Sequence, residues 1–393
     1  MSELSQTLVD LDSYSFTGRQ SAELPDFSSL TEESKQELRM VGVDVDAVDD
    51  RAGTFLQFDH STVHCKSSGK GVEVLGIRQA LKKYDGLPEY FWKAMDPEKD
   101  EFTRAASKEE LHGGYFIRTE KGAKVAEPVQ TCLFIKGQNV GQNVHNIVVV
   151  EEDSEVHILT GCATSHGVTS ALHLGISEFY IKKGGKLTFT MVHNWGEDVM
   201  VRPRTVGIVE ENGVLQNNYV LLKKVRSVQS YPTIYLNGEG AVARFNSVIV
   251  TPTGSHVDTG NRIVLNAPNT RGEIISRTIT TGGTIIARGE IIGNAVPARG
   301  HLECKGLILG GGLIHAIPEL QGRVTGVELS HEAAVGKIAQ EEIEYLMARG
   351  LDEDEATSTI VRGFLNVEIM GLPQELRESI DKTIAELDAS DAM

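Results

Sequence analysis

Between Gly114 and Gly326 the chain alternates apolar and polar residues in short, β-branched runs divided by glycine or asparagine turns, and no helical period runs through it. Leu187-Thr188-Phe189-Thr190-Met191 predicts a strand with Leu187, Phe189 and Met191 on one side. Turn signals recur at Glu152-Asp153-Ser154, Lys183-Gly184-Gly185, Glu211-Asn212-Gly213, Asn237-Gly238-Glu239-Gly240, Asn269-Thr270-Arg271-Gly272 and Gly282-Gly283, at loosely regular spacing. Roughly 200 residues of consecutive strands exclude a doubly wound α/β fold and leave a sandwich, a barrel or a β-solenoid. Glycine-rich corners favour the solenoid. The all-apolar stretches Ile147-Val148-Val149-Val150 and Val248-Ile249-Val250 suit the stacked rungs of a parallel β-helix, although a sandwich satisfies the same pattern.

The flanks differ in texture. Residues 1–113 predict a mostly helical, irregular cap, with Thr31 before Glu32 and Glu33 at one helix start and Pro88 at the first position of another. After Ser330 a helical period places Val335, Ile338, Ile343, Leu346 and Met347 near one face, with Gly350 as the stop. Asp352 and Glu355 have the spacing of a capped second helix, and Pro373 opens a last one through Ile384 and Leu387. The expected organisation is therefore a helical domain at 1–113, a β core at 114–329 and a helical domain at 330–393.

The 393 residues are 40% hydrophobic and 24% charged, a globular composition, and no run approaches the ~20 apolar residues of a membrane span. The opening Met1-Ser2-Glu3-Leu4-Ser5 has no basic stretch ahead of an apolar block, so a cytoplasmic location and no membrane partner are expected. With 38 Lys+Arg against 55 Asp+Glu the net charge is -17, which argues against nucleic acid. Residues 331–393 hold 15 acidic and 5 basic side chains, either a solvated surface or a docking face for a basic partner.

Cys65, Cys132, Cys162 and Cys304 form no C-x-x-C pair, which argues against a zinc ribbon or ferredoxin-type site, and free thiols are expected. No phosphate loop is present: in the nearest candidate His331 stands where the first glycine is required and Ile338 where Ser or Thr is required. Gly238-x-Gly240-x-x-Ala243 lacks a following helix and reads as a turn. Nucleotide chemistry would have to come from a second protein. Cys304, His315 and the pair His331-Glu332 remain as metal-capable groups, and thiolate, imidazole and carboxylate together suit iron or zinc. A buried cysteine and a helix-starting His-Glu pair account for the same residues without a metal.

Ser330-His331-Glu332-Ala333-Ala334-Val335-Gly336-Lys337-Ile338, followed by Gln340 to Gly350 and Ala356 to Phe364, resembles the C-terminal signature of the SufB/SufD family of iron-sulfur cluster scaffold proteins. The resemblance extends through His256-Val257-Asp258-Thr259-Gly260, Ala267-Pro268-Asn269-Thr270, Glu273-Ile274-Ile275-Ser276-Arg277 and Arg288-Gly289, and back to Gly114-Tyr115-Phe116-Ile117-Arg118 and Glu127-Pro128-Val129-Gln130. It covers about residues 110 to 370 in order and fades before them.

The resemblance implies a right-handed parallel β-helix between two helical domains. It implies a transient [4Fe-4S] or [2Fe-2S] cluster held at a subunit interface by Cys304, His331 and Glu332, with Cys304 of one copy facing His331 of the other. Cys162 is implied as the acceptor of sulfur, a buried structural thiol being the other reading; Cys65 and Cys132 read as structural. The implied partners are a SufC-type ABC ATPase on the C-terminal helices, a second copy or a SufB/SufD paralogue, and apo iron-sulfur proteins that receive the cluster. The chain itself would hydrolyse nothing. Its short N-terminal region resembles compact archaeal members, which leaves free sulfide as an alternative to a dedicated desulfurase. Two other functions fit parts of the sequence. A SufD-like accessory subunit without sulfur chemistry is opposed by the presence of both Cys162 and Cys304. A β-helix polysaccharide lyase or hydrolase using Asp258 and Glu273 would call for secretion and a calcium-lined groove, and the sequence offers neither.

Overall fold

The computed structural model describes residues 9–18, 21–46, 50–109, 111 and 113–365. Among them, parallel strands stack into a two-sheet β-solenoid, ten strands in one sheet from Ser61–Ser67 to Glu328–Gly336 and eleven in the other from Val72–Gly76 to Leu313–Gly322. The expected turns are what stacks it. Asp153, Asn212 and Asn269 adopt left-handed backbone (φ 55°, 55° and 60°), as do Gly184 and Gly240 between them. Each N–H donates to a carbonyl of the next turn: Asp153 to Lys183, Gly184 to Glu211, Asn212 to Glu239, Gly240 to Pro268. Only glycine, asparagine and aspartate take that conformation at low cost, so the repeated residue types mark one corner of successive rungs. Side chains stacked across rungs are 28 to 31 residues apart, as in Asn246 to Asn218, Ser247 to Ser276 and His173 to Gln142.

Leu187, Phe189 and Met191 face the solenoid interior, as their alternation predicts. The all-apolar runs are buried on both faces: Val148, Val150 and Ile249 lie in the interior, Ile147 and Val149 on the outer face in a cluster with the in-register neighbour Phe116 and with Tyr90, and Val248 and Val250 in a second outer cluster.

The flanks carry five α-helices among the described residues: α1 (Glu32–Arg39), α2 (Ile77–Lys83), α3 (Glu101–Lys108), α4 (Gln340–Met347) and α5 (Glu353–Leu365), besides a 3-10 turn at Leu11–Ser13. Thr31 caps α1, its hydroxyl accepting the Ser34 N–H at 3.2 Å. Asp352 and Glu355 form the expected reciprocal cap of α5, at 2.7 and 3.1 Å, and Gly350 (φ 101°) follows the end of α4. The helix assigned to Pro373 lies outside the described residues.

Three expectations change. The first 113 residues also contribute three strands: Gly53–Phe58 joins the solenoid parallel to Val129–Ile135, while Ser61–Ser67 and Val72–Gly76 add antiparallel strands that close the first edge of each sheet. Pro88 opens a turn rather than a helix, because the N–H groups of Trp92, Lys93, Ala94 and Met95 donate to the Glu178 carboxylate instead of to a helical ladder. At the other end, residues 328–336 form a strand parallel to Ala298–Ile308, and helix begins only at Gln340. The alanines at 333 and 334 favour helix, but the open edge of the preceding rung supplies a full ladder that local propensity cannot outweigh.

Candidate functional site at the open end of the solenoid

Cys304 lies in the penultimate rung of its sheet. Its strand, Ala298–Ile308, alternates buried and half-buried residues, and Leu302 and Cys304 point into the interior core. Cys304 is 2% exposed. Burial pushes its thiol up to about 11, the Glu303 carboxylate adding to the effect and the Arg277 guanidinium opposing it. It is a thiol at neutral pH until a metal, or an opening of the end rung, stabilises the thiolate.

The closing strand, Glu328–Gly336, pairs His331 with Leu302, Glu332 with Glu303 and Ala333 with Cys304. In-register parallel neighbours share a face, so His331 faces the interior side with Cys304, about 8 Å away between Cα atoms from strand spacing. His331 is exposed, because no further rung covers it among the described residues. Glu332 faces the opposite side. Its carboxylate meets the Lys305 ammonium at 3.2 Å, and Lys305 also meets Glu303 at 3.1 Å. The sequence motif pairs His331 with Glu332, but a strand separates them. His315 belongs to the other sheet, in register with Ile286 and next to the inward Ile314.

Cys162 lies in the same sheet five strand spacings away, about 24 Å. It is fully buried in the interior, and burial raises its thiol far above the ordinary range. An internal cavity of ≈ 50 Å³ on the Cys304 side of Cys162 is lined by Cys162, His173, His193, Tyr219, Ser247 and Ser276 among others, and stops short of Cys304. Cys162 is in register with His193, whose Nδ1 is 3.0 Å from the Tyr219 hydroxyl. From Tyr219 one interior column continues through Ser247 and Ser276 to Cys304, and the Ser247 hydroxyl donates to that of Ser276 at 3.1 Å. Burial lowers both His173 and His193 to about 3, so they are neutral. Trp195 packs against both imidazoles, and its buried Nε1 has no hydrogen-bond partner. A volume of this size admits a few water-sized species. Sequence reasoning missed this polar column. Its one signal is polar residues at inward positions of successive strands, visible only once the register is known.

The remaining cysteines have structural settings. Cys132 is buried in the outer layer, and Cys65 is half-buried with its Sγ 3.5 Å from the Val74 carbonyl. The pair named for a hydrolase separates onto different sheets, Asp258 held by Arg288 at 2.5 and 2.9 Å and Glu273 paired with Arg244. Neither carboxylate is free for acid-base work at a shared bond.

Residues 133–364 match the family model described as "SUF system FeS cluster assembly, SufBD core domain". An Archaeoglobus fulgidus protein described as "Iron-sulfur cluster assembly SufBD family protein" is 54% identical over 89% of this chain and 94% of its own length. A Methanothermobacter thermautotrophicus protein of the same description is 45% identical over 93% and 91%. The Bacillus subtilis "Iron-sulfur cluster assembly protein SufB" is 31% identical over 91% of this chain and 78% of its own length. With the solenoid fold and an agreement that spans core and flanks, the chain belongs to the SufBD family of iron-sulfur cluster assembly scaffold proteins.

Proposed function

We propose that this protein is the scaffold on which a [4Fe-4S] or [2Fe-2S] cluster is assembled where two chains meet, with Cys304 of one and His331 of the other as donors, and that the cluster is cargo passed to apo iron-sulfur proteins. The observation that carries this reading is the register at the open end, which puts His331 on the Cys304 side of the last rung. Among the described residues no three His, Cys, Asp or Glu side chains are grouped to hold a metal ion, so a cluster at Cys304 draws donors from a second copy or a SufB/SufD paralogue. Among the described residues the outer edges of Leu313–Gly322 and Glu328–Gly336 carry no further strand, and with Leu313, Val324 and Val335 exposed they supply a surface for that partner. Glu332 joins the donor set from the rim, once its pair with Lys305 opens. A single thiolate with imidazole and carboxylate holds iron-sulfur less firmly than a thiolate set, which suits release.

Sulfur loaded on Cys162 as a persulfide passes to Cys304 by two redox-neutral thiol exchanges: a small thiol takes the outer sulfur and leaves Cys162 as a thiol, then hands that sulfur to Cys304 and is regenerated; the polar column of Tyr219, Ser247 and Ser276 supports this passage. A SufC-type ABC ATPase docks on α4 and α5, where Tyr345 and Met347 are exposed beside acidic residues, and hydrolyses the ATP. Anaerobic incubation with ferrous iron and sulfide tests the site: wild type develops absorption near ~400 nm, and Cys304→Ala and His331→Ala lose most of it. Equal colour in all three would move the site elsewhere.

A further inference from the structure

α5 does not stand apart from the solenoid. Its Val361 and Leu365 are buried against the outer face of the sheet with Ile279 and Leu307, and Phe364 packs on the same cluster. Ile279 lies two residues after Arg277, and Leu307 three after Cys304. The helix therefore rests directly behind the strand that carries the thiol.

One charged chain connects them. The Arg277 guanidinium carbon is 6.0 Å from the centre of the Phe364 ring, within cation–π range. The same guanidinium pairs with the Glu303 carboxylate, next to Cys304. Glu303 also receives Lys305, and Lys305 reaches Glu332 on the closing strand. Exposure rises along the chain, from 16% at Arg277 and 15% at Glu303 to 31% at Lys305 and 59% at Glu332. The inner pair is sheltered from screening and holds its geometry; the outer end is an ordinary surface pair of little weight.

We infer that Arg277 is a positioning residue that ties the seat of α5 to the Cys304 strand, so that lifting the helix loosens the two strands carrying Cys304 and His331. The inference takes its meaning from the proposed function, since a protein docked on the helical tail would then act on the cluster-building rung through this link. The link itself is a property of the chain alone.

Amide hydrogen exchange of the full chain, read on peptides covering 298–308 and 328–336, tests it. Phe364→Leu keeps the apolar volume and removes the ring face; exchange in both peptides is expected to rise about threefold, the factor a contact of this kind corresponds to, with 186–194 unchanged. Phe364→Tyr, which keeps the ring, restores the wild-type rate. Arg277→Met, which removes the Glu303 pair as well as the ring contact, gives a rise at least as large, and adding Phe364→Leu to it changes nothing further. Acceleration confined to 353–365, or two additive effects, would overturn the link. No iron, sulfide or ATPase enters the measurement, so its failure is separate from a failure of cluster reconstitution.

Discussion

His331 stands in register with Leu302, the fully buried residue two positions before Cys304, and this pairing gives the two candidate donors one face of the sheet. Glu332 consequently faces away, beside Lys305. The two neighbours should therefore behave differently on substitution. His331→Ala is expected to abolish most of the iron-sulfide absorption, whereas Glu332→Ala keeps more than half of it. Lys305→Ala, which frees the Glu332 carboxylate, should slow loss of iron to a chelator. Titration of bound iron in the three variants checks the order, and an equal loss for His331→Ala and Glu332→Ala would reject His331 as the principal donor with Glu332 as an auxiliary one.

The proposed internal route makes a separate prediction. Ser276 is the last residue of the polar column before Cys304 and lines the cavity. Ser276→Leu fills that space, at about 1–3 kcal/mol of overpacking. Cluster formation from sulfur loaded on Cys162 should then fail, while formation from free sulfide at the open end proceeds at the wild-type rate. Mass spectrometry of the Cys162 peptide would show the sulfur retained. Loss of both activities together would mean only that the rung had collapsed, which the melting temperature reports.

How much of this is legible without coordinates depends on the range of the interaction. Asn212, Gly240 and Asn269 announce their turns because the backbone conformation they adopt is a local property, and the capping pair Asp352 and Glu355 is local too. His331 is misread as the start of a helix because what decides its conformation is the edge of a rung 29 residues earlier, the same separation that brings Ser330 to His301. The role of Arg277 is invisible for the same reason: its partners Glu303 and Phe364 come from another rung and another layer. Family resemblance supplies an expectation for Cys304 and Cys162, but not the column of Tyr219, Ser247 and Ser276 between them.

Glu178 should be a point of structural failure. Its carboxylate accepts the N–H groups of Trp92 (2.7 Å), Lys93 (2.9 Å), Ala94 (2.6 Å) and Met95 (2.9 Å), together with the Tyr180 hydroxyl (2.9 Å), and meets His145 Nε2 at 2.8 Å. Glu178→Ala strands these buried donors. A loss of ~3–5 kcal/mol, the range for breaking a buried hydrogen-bonded charge, is expected in urea unfolding. Limited proteolysis should open the 84–100 segment first, and a variant as resistant as wild type would show that the loop is held by its other contacts.

The interior histidines set the acid side of the stability profile. His173 and His193 are each 3% exposed and held neutral at about 3, chiefly by burial, against about 6.5 in the unfolded chain. A base whose folded value is depressed leaves the unfolded state with more protons, so stability falls as pH falls between those two values. Their contribution is fully present at pH 7, and each is expected to remove roughly 2 kcal/mol between pH 7 and pH 5. His145, lowered mainly by burial, and Glu178, lowered by its His145 partner against the cost of burial, act in the same direction. His193→Gln removes one titrating site while keeping a polar side chain near the Tyr219 hydroxyl. Urea midpoints at the two pH values should therefore converge in His193→Gln relative to wild type, by about that amount, and further in the double variant with His173→Gln. An unchanged gap would mean that the cavity admits enough water for the imidazoles to protonate inside the folded solenoid.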